Sequence, residues 1–113
     1  MAAAVHELSI AQSIVEIVRE RAGEAHVKRL TLVIGQLAGV VPDAIRFCFD
    51  VCAEGTVLEG AVLEIIEPPG RGRCPDCGQE QQMNSFFEMC VCGAAGLECI
   101  AGDELRIKEM EIV

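Results

Sequence analysis

The sequence predicts an α+β fold: a three-stranded sheet with two helices on one face, plus an inserted zinc-ribbon-like subdomain built on four cysteines. Three observations lead there. Two stretches repeat apolar residues with helical spacing, and three short stretches alternate as strands do. Four thiols stand in the runs Cys74-Pro75-Asp76-Cys77-Gly78 and, with twelve residues between Cys77 and Cys90, Cys90-Val91-Cys92-Gly93. With 113 residues the chain suffices for one small domain and a metal-stapled insertion, and is too short for two full domains.

From Leu8 to Arg21 the apolar residues Leu8, Ala11, Ile14, Val15, Val18 and then Ala22 follow the i, i+3, i+4, i+7 rhythm of an amphipathic helix. Gly23 suits its C-terminal cap, and Glu16, Arg19 and Glu20 face water. Lys28 to Ile34 alternates, with Leu30, Leu32 and Ile34 on one side, and reads as a strand ended by Gly35. A second helix opens at Pro42, a favoured first-turn residue, stacks Ile45, Cys48, Phe49 and Cys52 on one face, and closes at Gly55. Ala61 to Glu67 is a second strand, and Pro68-Pro69-Gly70 is a stiff exit toward the cysteines. Glu104 to Val113 reads as a third strand whose apolar phase changes between Ile107 and Met110; a bulge near Lys108-Glu109 reconciles the two halves. Residues 1–69 and 103–113 thus make an α/β body, and 70–102 an irregular insertion.

A Cys-x-x-Cys turn aims two sulfurs at a common centre, and the following glycine lets the chain reverse while backbone N–H groups approach the sulfurs. Cys74 and Cys77 fit this pattern. Cys90 and Cys92 are one residue closer, which strains their half of the site and leaves Cys99 as a substitute fourth ligand. Structural zinc is the favoured use of these thiols, with a redox pair or disulfides as the competing ones. Cys48 and Cys52, four apart beside Ile45 and Phe49, read as small core hydrophobes.

Composition narrows the partners. Nine basic against eighteen acidic residues give a net charge of −9, which argues against a nucleic-acid phosphate backbone and for a protein or metal-ion partner. Met1-Ala2-Ala3-Ala4-Val5 runs straight into His6-Glu7 without a signal-type apolar region, and no apolar run approaches a membrane span. A cytoplasmic location with reduced thiols is expected, with no membrane partner. Phe86 and Phe87 are expected to cover the metal loop rather than stack on bases, because the basic residues that accompany base stacking are missing around them. His26 reads as a surface or turn residue, Asp43 as serving a helix N-terminus and Glu104 a strand edge. No nucleophile–base constellation or phosphate loop is visible, so the chain does not read as an enzyme.

The segments His6-Glu7-Leu8-Ser9-Ile10-Ala11-Gln12, Gly35-Gln36-Leu37, Gly39-Val40-Val41-Pro42-Asp43-Ala44, Phe47 and Phe49, the two cysteine pairs, and Gly102-Asp103-Glu104-Leu105-Arg106-Ile107 together resemble the HypA/HybF family of nickel metallochaperones. The resemblance covers nearly all of the chain from His6 to Val113. It implies a transferable Ni(II) ion, a structural Zn(II) ion, and nickel insertion into the large subunit of [NiFe] hydrogenase together with a HypB-type GTPase. It leaves open whether urease also receives nickel and whether the chain pairs as a homodimer.

In that family nickel binds at the extreme N-terminus through a His-Glu pair, matched here by His6 and Glu7. The residues suit the chemistry: neutral imidazole and deprotonated backbone nitrogens favour planar Ni(II), and four thiolates favour tetrahedral zinc. Glu7 takes a secondary role. An acidic residue that assists nickel in some relatives falls at Val41 here, so its role is not carried to Asp43. The family pattern also favours Cys92 over Cys99. One departure is the extension before His6, which puts the α-amine too far away to join a small chelate. Since a GTG codon reads as Val inside a gene and Met at its start, Val5 is the expected native first residue.

Overall fold

The computed structural model describes residues 2–113, with side-chain environments from His6 onward. Its elements are α1 (Ala2–Ala22), β1 (Val27–Ile34), α2 (Pro42–Ala53), β2 (Val62–Ile66), β3 (Arg71–Arg73), β4 (Glu80–Gln82), β5 (Glu98–Ala101) and β6 (Leu105–Ile112). They form two three-stranded sheets, ordered β2-β1-β6 and β4-β3-β5. Two compact units result, one of Met1–Leu32, Val40–Ile65 and Ile107–Val113, the other of Val33–Gly39 and Ile66–Arg106.

In the first unit, α1 buries Ala11, Ile14, Val15 and Val18 and exposes Glu16, Arg19 and Glu20, as its periodicity dictates. Gly23, at φ 61°, ends it by donating its amide to the Arg19 carbonyl at 3.0 Å, a left-handed cap that costs a glycine little. The helix starts earlier than the apolar rhythm suggests. It begins at Ala2 and so encloses His6 and Glu7, in keeping with the high helix propensity of Ala2-Ala3-Ala4. Its buried stripe accordingly begins at Glu7, 1% exposed, while Leu8 is 37% exposed.

The second helix packs against the first. Val41 is its N-cap in extended conformation, Pro42 opens the first turn, and Ile45, Cys48, Phe49 and Ala53 are buried. Burying a side chain the size of Phe49 contributes about 1.5–3 kcal/mol. Cys48 and Cys52 do lie on this apolar side, and burial followed by the neighbouring Cys48 pushes the Cys52 thiol up. The central strand β1 buries Leu30 and Leu32, and also Thr31, which projects from the opposite face. Arg29 ties it to each neighbour, at 2.6 Å from Glu64 and 3.9 Å from Glu111; such exposed pairs add at most about 1 kcal/mol each. On β6 the half-buried residues are Ile107 and Met110, three apart, matching the phase change in the sequence.

The second unit is more regular than its sequence suggests. β3 pairs antiparallel with β4 (Arg71 to Gln82, Gly72 to Gln81, Arg73 to Glu80) and with β5, where the register shifts between Arg71 and Gly72. These strands are three or four residues long, too short to show an alternating pattern in sequence. Leu37, Met83 and Leu97 form a small apolar cluster with Cys74 and Cys90.

Three glycines draw the connecting segments of this unit together. A Cβ on Gly35 would overlap the Gly102 carbonyl, one on Gly102 the Gly70 backbone, and one on Gly70 the Met83 carbonyl and the Leu37 side chain. Main-chain bonds run through the same place: Gly35 to Glu104 (2.8 Å), Gln36 to Pro68 (3.0 Å), Leu37 to Gly102 (2.7 Å) and Met83 to Gly70 (2.8 Å), each named donor first. Glu104, expected at a strand edge, also accepts the Gly102 amide on its carboxylate at 2.8 Å.

A comparison of two alanine variants tests this junction. Gly35→Ala is expected to cost about 3 kcal/mol through overpacking against backbone. Gly39→Ala, at φ 73° with open space around it, should cost only about 1–2 kcal/mol of conformational strain. Urea unfolding midpoints should rank the two in that order; equal midpoints would show that the segments are free to move apart.

Candidate metal centre

Each cysteine pair sits on a tight turn closed by the backbone. In the first, the Gly78 amide donates to the Cys74 carbonyl at 3.0 Å and the Cys74 amide to Gln79 at 2.9 Å. In the second, Gly93 donates to Cys90 at 2.8 Å and Cys90 to Ala94 at 2.9 Å. Gly78 and Gly93 hold φ of 75° and 94°, which the reversal requires and which other residues resist. Inside the turns, the Cys77 amide points at the Cys74 sulfur and the Cys92 amide at the Cys90 sulfur, both at 3.4 Å. The shorter second turn therefore presents its sulfurs much as the first does.

The turns face each other. The Sγ atoms of Cys74, Cys77, Cys90 and Cys92 all lie within 4.8 Å of one another, and no other such group of His, Cys, Asp or Glu occurs among the described residues. Cys74 and Cys92 are 3.7 Å apart, and Cys77 and Cys90 3.6 Å. A tetrahedron with bonds of about 2.3 Å to sulfur has edges of about 3.8 Å, whereas a disulfide needs about 2.05 Å. The donor set and its edges thus fit a tetrahedral, sulfur-seeking ion such as zinc. Each turn contributes one buried sulfur, Cys74 or Cys90, and one exposed residue, Cys77 or Cys92.

The electrostatics point the same way. The amide of Cys77 leads in holding the Cys74 thiol down to about 7. Cys90, although the Cys92 amide favours its thiolate, is pushed up to about 12 by burial and by the sulfurs of Cys92, Cys77 and Cys74. Four thiolates so close repel one another, and a cation at their centre removes that repulsion.

Cys99 stands outside the group. It lies on β5 against the apolar cluster, donates to the Ala101 carbonyl at 3.4 Å, and is pushed up first by burial and then by Asp103. Phe86 and Phe87 do not cover the cage as expected: they are 52% and 93% exposed, and Leu37, Met83 and Leu97 occupy the covering positions. Gln81 had no signal in the sequence. Its side-chain amide donates to the Met89 carbonyl at 3.2 Å, and its oxygen accepts the Val91 amide at 3.1 Å, bracing the second turn from β4.

His6 and Glu7 part company on α1. His6 is exposed, whereas Glu7 is buried and accepts the Val41 amide on Oε2 at 2.9 Å. Val41 caps α2 without a side-chain bond of its own, so the carboxylate supplies the acceptor and a negative charge where the helix dipole favours one. Oε1 of Glu7 is buried without a hydrogen-bond partner. The sequence held a signal for this: Glu7 lies four residues before Ala11 and seven before Ile14, on the buried side of the helix. The described residues do not gather His6 into a cluster of ligating side chains.

Residues 5–112 match the family model described as hydrogenase/urease nickel incorporation, metallochaperone, hypA. The chain belongs to the HypA family. It is 59% identical over 109 residues to the hydrogenase maturation factor HypA of Rippkaea orientalis, and 56% identical over 108 residues to that of Nostoc punctiforme; each alignment covers 96% of both chains. A HypA maturation factor of Geobacter metallireducens is 51% identical, over 96% of this chain and 99% of its own. The solution structure of the nickel metallochaperone HypA from Helicobacter pylori has a TM-score of 0.67 at 23% identity, covering 95% of this chain and 97% of that one. A second HypA solution structure gives 0.72 at 22%, covering 96% and 97%. At these identities the HypA structures speak for the fold alone.

Substitutions within the cage should separate the ligands. Cys92→Ala is expected to lose bound zinc, while Cys99→Ala keeps one equivalent; metal analysis of both purified proteins decides, and the reverse ranking would move the fourth ligand. Zinc uptake at pH 7 should release protons, Cys90 among them, because thiols bind as thiolates; affinity should therefore fall as pH falls. Calorimetry in buffers of different ionisation enthalpy measures that release. Glu7→Ala should cost about 1–3 kcal/mol by stranding the Val41 amide, and unchanged thermal stability would deny the carboxylate its capping role.

Proposed function

We propose that this chain is a nickel metallochaperone for maturation of [NiFe] hydrogenase, with His6 carrying a transferable Ni(II) ion and Cys74, Cys77, Cys90 and Cys92 holding one structural zinc. The observation that carries the reading is the placement of the His-Glu pair. His6 stands in solvent at the start of α1, and its neighbour Glu7 is anchored to the N-terminus of α2. An exposed imidazole suits ligand exchange with a recipient, because a closed cage would retain its cargo. A micromolar site, worth about −8 kcal/mol, is strong enough to load and weak enough to release. Glu7 serves this site by position rather than as a principal ligand, since Oε2 is already engaged.

Zinc fits the sulfur cage, and Cys74, Cys77, Cys90 and Cys92 would hold it as a crosslink between the two turns. We assign the nickel-binding domain to the unit that carries α1 and α2, and the zinc-binding domain, expected at 70–102, to the unit of Val33–Gly39 and Ile66–Arg106. The partners of this reading are a HypB-type GTPase and the hydrogenase large subunit, met in the cytoplasm. The role is delivery and not catalysis. No described helix is long and apolar enough to cross a membrane.

A second reading, a zinc-ribbon interaction module without nickel transfer, draws on one observation. α1 encloses His6, so the amides before it have helical geometry, and planar Ni(II) bound through them requires that turn to unwind.

Titration of Ni(II) into zinc-loaded protein, followed by calorimetry, visible absorption and far-ultraviolet circular dichroism, tests both readings. His6→Ala is expected to lose nickel binding, at least about a hundredfold, while retaining zinc and fold, because an exposed side chain contributes little to stability. Nickel binding should also reduce helical signal by about one turn of α1. Unaltered nickel affinity in His6→Ala would remove His6 as the carrier, and no nickel binding by the zinc-loaded protein would favour the second reading.

A further inference from the structure

The loop between the two cysteine turns presents a run of large apolar side chains to solvent. Phe86 is 52% exposed, Phe87 93%, Met89 56% and Val91 81%. This is not a loose end of the core, since Leu37, Met83 and Leu97 already fill the space against Cys74 and Cys90. Clustered exposed apolar side chains of this size mark interaction sites on soluble proteins. Two of the four are phenylalanines, which are enriched at protein interfaces.

The loop is also held in shape. Gln81 pins Met89 and Val91 through both ends of its side-chain amide, at 3.2 and 3.1 Å. Ser85 accepts the Phe87 amide on its hydroxyl at 3.1 Å and the Glu88 amide on its carbonyl at 3.4 Å. Cys90 and Cys92 fix its far end in the cage. A surface ordered before binding loses little conformational entropy when a partner arrives.

Charge selects the occupant. From Cys74 to Leu105 there is no lysine or arginine, while Asp76, Glu80, Glu88, Glu98, Asp103 and Glu104 are all acidic. Glu80 is answered by Arg73 at 3.0 Å, but Glu88 sits among the exposed apolar residues themselves. Four thiolates around a divalent cation add two further negative charges. A second copy of the chain would bring the same sign of charge to the contact, and so would nucleic acid or an anionic membrane.

We propose that the loop from Ser85 to Val91 is a docking surface for an apolar segment of a partner protein flanked by lysine or arginine. The partner's apolar side chains would cover Phe86, Phe87, Met89 and Val91, and its cations would face Glu88 and the acidic cage. The proposal goes beyond the nickel reading and does not depend on it, because none of these residues lies near His6 in sequence and the surface needs only the filled cage.

The test uses the zinc-loaded full chain, labelled with nitrogen-15, and three synthetic peptides of equal length composed of leucine with lysine, leucine with glutamate, and serine with lysine. The leucine–lysine peptide is expected to shift the amides of residues 85–92 in a saturable way. The other two should bind at least about tenfold more weakly. Phe87→Ser, at a position almost wholly in solvent, should weaken the leucine–lysine peptide by about tenfold without loss of zinc, and Glu88→Lys should weaken it and flatten its salt dependence. Equal binding of the serine–lysine peptide would reduce the surface to a charge effect and overturn the proposal. So would shifts mapping outside the loop, equal binding of the leucine–glutamate peptide, or no binding at all. Self-association in sedimentation that Phe87→Ser abolishes would assign the surface to a second copy instead.

Discussion

Backbone contact at Gly35, Gly70 and Gly102 sets the course of the whole insertion. The segment leaving β1, the exit from β2 and the return toward β6 all pass through a space where any Cβ would strike main chain. Because the segments approach so closely, their amides and carbonyls satisfy one another, and a region that could have been a solvated linker becomes a fixed origin for the β4-β3-β5 sheet. The Pro68-Pro69 pair stiffens one of the three segments before it reaches the contact. From there the strands place the cysteine turns without needing a large apolar core.

The small core explains why a metal matters there. Leu37, Met83 and Leu97 are few, and two of the cluster's other members are themselves cage cysteines. Burial on this scale cannot offset the ordering of the whole second unit, whereas a structural zinc ion typically contributes an apparent ~10–16 kcal/mol, about the whole stability of a small domain. The buried sulfurs of Cys74 and Cys90 connect metal to core, and the exposed Cys77 and Cys92 leave the other side of the cage near solvent. Gln81 extends the same ordering outward to the loop that carries Phe86 and Phe87.

In the other unit a polar residue does the ordering. Glu7 occupies a place on α1 where an aliphatic side chain would ordinarily pack, and its bond to Val41 joins the start of one helix to the start of the next. Consecutive residues on a helix point about 100° apart, so burying Glu7 turns His6 outward. The His-Glu pair is thereby divided into a group that meets solvent and a group that holds the frame.

The sequence by itself determined the two helices, the three long strands, the four metal-type cysteines and the family, because each rests on local spacing. Apolar residues at Ala11, Ile14, Val15 and Val18 bury one helix face whatever surrounds them, and glycine after Cys77 and Cys92 permits the same reversal in any context. Tertiary structure alone decided what depends on partners distant in the chain. β3, β4 and β5 are too short to carry a pattern and exist through their pairing. Phe86 and Phe87 were expected against the cage, but Leu37, from the loop after β1, had already taken part of that space. Glu7 could be placed on the buried face by counting turns, yet its acceptor role required knowing that the Val41 amide would arrive beside it. Cys92 stands on the second turn within reach of the other three sulfurs, whereas β5 carries Cys99 to the apolar cluster, a placement that spacing in the chain does not express.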